Sequence, residues 1–206
     1  MTEKEEMLKG ILIRSKALEE KVFKLKVQVN NLSDSERTSS KVFLDYVFSR
    51  GISDDIKEFL CMFKAGKKVR YQNFVIRNMV EHTIEYLYLC KNTALIPEYF
   101  GAKITIDMSN VTHENAAKEY RKIGQDRYEN NRAKMKQMAD DIGEGETTKN
   151  IPCLYDIFRI VSENCHNSYF QEIADEYSSV EVKNDLFSLQ FVCLVLIKFL
   201  KLEDEQ

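Results

Sequence analysis

The stretch LKGILIRSKALEEKVFKLKVQVNNL, Leu8 to Leu32, places Leu8, Ile11, Ser15, Leu18, Val22, Leu25, Val29 and Leu32 at steps that alternate between three and four. With about 3.6 residues per turn, that spacing draws one seam down a helix. The chain therefore opens on a long helix that either packs along a bundle or zips to a partner. The composition extends this reading to the rest of the chain: 206 residues hold only two prolines and seven glycines, with 44% apolar and 31% charged residues. Breakers are scarce and amphipathic segments can run long, so an all-α fold is expected.

Downstream, Ser33-Asp34-Ser35 offers caps for a second helix bearing Val42, Phe43, Tyr46 and Val47, which Gly51 can end. Ser53-Asp54-Asp55 starts a third, closed by Gly66, and a fourth runs from near Lys68 through Tyr71, Phe74, Val75, Met79, Ile84, Leu87 and Leu89. Pro97 and Gly101 mark a break, and residues 98–111, including Ile104-Thr105-Ile106, read as a loop or a short extended piece. Thr112 to Ile142 is highly charged with few large apolar side chains, which suits an exposed helix or a protruding arm. Gly143 to Thr148 breaks it, Pro152 suits the first turn of the next helix, and Asn184 or Asp185 can cap the last. The expected organisation is an N-terminal heptad helix over 1–39 and a helical bundle over 40–206 with a charged helical insert at 112–142.

A net charge of −3 carries no global nucleic-acid signature, so any RNA contact must come from a local basic patch. Cys61, Cys90, Cys153, Cys165 and Cys193 are odd in number and form no Cys-x-x-Cys pair, which points away from a disulfide framework or a zinc site and toward a cytoplasmic chain. Met1 to Glu6 is acidic, unlike a secretory leader. Phe187 to Leu200 falls short of the roughly 20 residues that span a bilayer and contains Gln190 and Lys198, so a buried core helix is expected and no membrane contact. No glycine-rich phosphate loop, metal-spaced His/Glu cluster or nucleophile elbow occurs, which speaks against kinases, metallohydrolases and serine hydrolases, and no metal or cofactor is expected.

Three constellations carry chemistry. Arg159, Ser162 and His166 lie on one stripe of a helix, extended by Tyr155 and Tyr169; a guanidinium that forks onto phosphate oxygens would stand beside an imidazole that exchanges protons near neutrality. Arg77 and Glu81, four apart, can form an inward-facing ion pair, with His82 well round the helix from Arg77. Lys64, Lys67, Lys68 and Arg70, beside Tyr71, form a basic group able to meet a phosphate backbone, whereas the basic residues from Arg121 to Lys136 are interrupted by acids and read as a solvated face.

An arginine followed after four to six residues by a histidine, within an all-α bundle, resembles the HEPN superfamily. Arg159 to His166 fits with six intervening residues and Arg77-Asn78 to His82 with four. The wider pattern, Arg77 and Glu81 followed by Tyr86-Leu87 and later Ser162 and His166 before a hydrophobic last helix, is similar to a HEPN-like group of bacterial and phage proteins of unknown function. The resemblance spans about residues 40–202. It implies a metal-independent endoribonuclease, a toxin or antiviral-defence effector acting as a homodimer by 2′-hydroxyl attack on the adjacent phosphate. His166 would be the acid or base and Arg159 would stabilise the phosphorane; Ser162, Arg77 and Glu81 would complete the catalytic group, with Lys67, Lys68, Arg70, Asn167 and Tyr169 binding RNA. Ile160 departs from the polar residue that HEPN nucleases favour after the arginine. The alternative is a non-catalytic interaction module that docks a partner or inhibitor through its N-terminal helix and uses Arg77, Glu81, Ser162 and His166 as a buried polar brace.

Overall fold

The computed structural model describes residues 2–66, 69–104, 112–118, 134–147, 152–177 and 184–201, with backbone alone at 34, 69–70, 101–104, 166–177 and 184–185. It is all-α, with no strand among the described residues. The helices are α1 (Glu3–Asn30), a single turn α2 (Asp34–Arg37), α3 (Lys41–Lys64), α4 (Val69–Lys91), α5 (Ile96–Ile104), α6 (134–141), α7 (Leu154–Tyr177) and α8 (Asn184–Leu200).

The heptad seam of α1 closes within the chain. Ile11, Ser15, Leu18 and Val29 are buried where α1 packs against α3 and α8, and fully burying each large apolar side chain contributes about 1.5–3 kcal/mol. Thr2 starts this helix with a reciprocal cap: its hydroxyl accepts from the Glu5 N–H while Glu5 accepts from the Thr2 N–H at 2.8 Å. The bundle is centred on α4, which packs against α3, α7 and α8. Ile76, Met79, Val80, Ile84 and Leu89 point to several sides of that helix and all are buried, as neighbours on three flanks require. From α8, Leu189, Val192, Leu196 and Phe199 enter the same core at steps of three and four.

Three expectations are corrected. Gly51 does not end a helix, and Ser53 does not cap one; α3 runs unbroken from Lys41 to Lys64. Leu44, Phe48, Ile52, Ile56 and Phe59 form one continuous buried stripe across Gly51, and packing that stripe outweighs glycine's weak helix preference. Ser40 is the cap, its hydroxyl accepting from the Phe43 N–H at 3.1 Å, and Gly66 with φ +61° follows the end. Pro97 does not break structure but occupies the first turn of α5, where its missing N–H costs nothing and Ile96 and Phe100 bury one turn apart. The charged segment does not protrude at its end either: Met135 and Ala139 of α6 are buried in the common core, while 119–133 lie outside the described residues.

Candidate functional site

The loop after α6 fixes where α7 begins. Gly143, with φ +77°, turns the chain so that Glu144 lies under the first turn of α7, where it accepts the Leu154 N–H at 3.0 Å and the Lys198 ammonium of α8 at 2.7 Å. A carboxylate at a helix N-terminus is favoured by the unpaired N–H groups and the dipole. Thr147 adds a second tie, accepting from the Cys153 N–H at 3.2 Å and donating to the Asp156 carboxylate, which this hydrogen bond holds below its ordinary range. The end of α4 is tied to the same loop through Lys91 and Asn92, which both donate to Asp141. As a result, α7 runs antiparallel to α4.

Phe158, Ser162 and Cys165 share the face of α7 turned toward α4. The Arg77 guanidinium stacks 5.7 Å from the centre of the Phe158 ring, a cation–π contact. Its charge also reaches the Cys165 thiol, which burial pushes up against a smaller downward pull from Arg77. Ser162 lies between Phe158 and Cys165 along that face of the helix. Both the Ser162 hydroxyl and the Arg77 Nε are shut off from solvent without a hydrogen-bond partner among the described residues. Arg159, next to Phe158 on α7, is exposed, and its guanidinium meets Asp156 at 4.0 Å.

The pair expected between Arg77 and Glu81 does not form: no ion pair within 4.0 Å joins these two described side chains. Arg77 leans onto Phe158 of α7, whereas the Glu81 charge acts on the Tyr99 phenol of α5. Spacing permits the pair, but each side chain has a neighbour on a different helix. The Arg77-Asn78 to His82 motif is dispersed in the same way. Asn78 donates to Asp55 at 2.8 Å, and His82 stands edge-on to Phe48 with centroids 6.0 Å apart. His166, Asn167 and Tyr169 lie on α7 and Arg70 on α4, their side chains outside the described residues; Lys67 and Lys68 lie outside them altogether. Among the described residues, no group of three or more His, Cys, Asp or Glu is placed to hold a metal ion, and no helix is long and apolar enough to cross a membrane.

Phe158 and Glu144 were not singled out by sequence. Phe158 is one apolar residue among several in its helix, and Glu144 lies in a glycine-flanked break whose only local signal is acidity before a helix. Comparison with protein-family models, with curated proteins and with solved structures found no match.

Proposed function

We propose that the chain is an endoribonuclease of the HEPN type, with the scissile phosphate held at the α4/α7 seam. The observation that carries this reading is the pair of orphaned polar atoms there, Arg77 Nε and Ser162 Oγ. A shielded donor without a partner costs about 1–3 kcal/mol, which an anion admitted when the seam opens would recover. A purely structural brace has the opposite signature, a closed set of hydrogen bonds, and the missing Arg77–Glu81 pair counts against it.

In this mechanism the 2′-hydroxyl attacks the adjacent phosphorus, forming a cyclic phosphate as the bond to the 5′-oxygen breaks. His166 takes the hydroxyl proton or delivers one to the leaving oxygen, a role that typically contributes about 10²–10⁴-fold. Arg159 and Arg77 stabilise the phosphorane charge. Glu81, which faces Tyr99, has no step assigned to it. The resemblance further makes the working unit a homodimer, with RNA as its substrate, in a toxin or defence setting.

The test incubates RNA with purified protein in EDTA and compares wild type with His166→Ala, Arg159→Ala and Arg77→Ala. Wild type should cleave, leaving 2′,3′-cyclic ends, and His166→Ala should be slower by about 10²-fold or more. Equal cleavage by all four proteins, or by none, removes the assignment.

A further inference from the structure

A second site lies apart from the seam, between α3, α4 and α5. A cavity of about 390 Å³ opens there, within the size range of small-molecule pockets. From α3 it is lined by Phe43, Val47, Phe48 and Gly51; Tyr99 and Phe100 of α5 close the far side. Phe43 meets Phe100 at 5.1 Å between ring centres and Phe48 meets Tyr99 at 5.9 Å, so rings face the interior from two helices. Half-exposed Val47 stands at the mouth.

Two residues give the cavity its character. Gly51 sits inside a 24-residue helix, where glycine is among the poorest formers, yet a Cβ added there would meet nothing within 4 Å. Neither tight packing nor a left-handed backbone accounts for it; its lack of a side chain keeps the cavity floor open. Besides Tyr99, His82 from α4 is the one lining residue that carries a side-chain hydrogen-bonding group. The Tyr99 hydroxyl is engaged elsewhere, donating to Glu85 at 2.6 Å. Carboxylates stand near two of the lining residues: Asp55 near His82, and Glu81 and Glu85 near Tyr99. Their field disfavours an anion inside.

We propose that this cavity binds a small, neutral, planar aromatic molecule carrying one hydrogen-bond acceptor, its rings among the phenylalanines and its acceptor on the His82 imidazole N–H. The site is independent of the RNA reading. The probe is prodan, a neutral naphthyl ketone whose emission reports both polarity and hydrogen bonding to its carbonyl. Wild type should give saturable, blue-shifted emission and bind prodan at least tenfold more tightly than the anion 8-anilinonaphthalene-1-sulfonate. Gly51→Leu, which fills the floor, should weaken prodan at least tenfold with a melt no lower than that of wild type. His82→Phe keeps a ring but loses the donor; it should weaken binding several-fold and shift bound emission further to the blue. Amide shifts of the wild-type protein decide the matter even if a variant misfolds. Prodan-induced shifts centred on Gly51, His82 and Phe100 support the site. Shifts centred on the exposed apolar residues Leu12, Phe23 and Val27 of α1, or no saturable binding, overturn it.

Discussion

Replacing Ser162 with alanine separates a ligand site from a structural brace. The Ser162 hydroxyl is shielded and unpartnered, so its removal relieves part of the roughly 1–3 kcal/mol that such a group costs. Alanine adds about 0.5 kcal/mol of helix preference over serine within α7. Ser162 is half-buried, so only a fraction of the first figure applies, and Ser162→Ala should be more stable than wild type by about 0.5–1.5 kcal/mol. At about 2–4 °C per kcal/mol for a chain of this size, thermal denaturation should rise by about 1–6 °C. Inorganic phosphate supplies the second arm. At ten times its dissociation constant, a ligand bound only to the native state adds about 1.4 kcal/mol, or about 3–6 °C, to wild type. Ser162→Ala should show a smaller rise at the same concentration. A variant less stable than wild type without phosphate would mean that the hydroxyl has a partner, and the orphan argument would fail.

Two further outcomes follow from the fold. Leu18→Ala removes a fully buried side chain from the α1 seam and should cost about 2–5 kcal/mol. Because that seam closes within one chain, the loss should not change on dilution; a loss that grows on dilution would place the seam between chains. At alkaline pH, burial raises the Tyr86 and Tyr99 phenols, helped by Cys90 and Asp45 at Tyr86 and by Glu85 at Tyr99. A folded-state value above the unfolded one means that this stability is fully present below about pH 10 and is lost as the pH climbs further. In an absorbance titration of the ten tyrosines, at least these two should stay neutral until the chain unfolds. Complete, reversible ionisation near pH 10 with native circular dichroism would contradict it.

Much of the helical content was legible because apolar spacing is a local property. The Leu8 to Leu32 seam reads directly as one helix, and Ile11, Ser15 and Leu18 are buried as that spacing requires. Local signals misled where they competed with packing: Gly51 and Pro97 look like breakers, yet α3 and α5 run through them. The candidate site was legible only in part. Arg159 and Ser162 share a stripe by helix geometry alone, but Arg77 could be expected to pair with Glu81 because both lie on one helix.

Period and composition alone determined an all-α chain with a long first helix, since backbone hydrogen bonding and apolar periodicity act over three or four residues. Tertiary structure decided which side chains meet across helices. Arg77 lies on Phe158 rather than Glu81, Ser162 is left without a partner among the described residues, Glu144 anchors α7 to α8, and Gly51 opens a cavity toward His82. Those contacts join residues far apart in sequence, and their energies depend on burial, which no local pattern encodes.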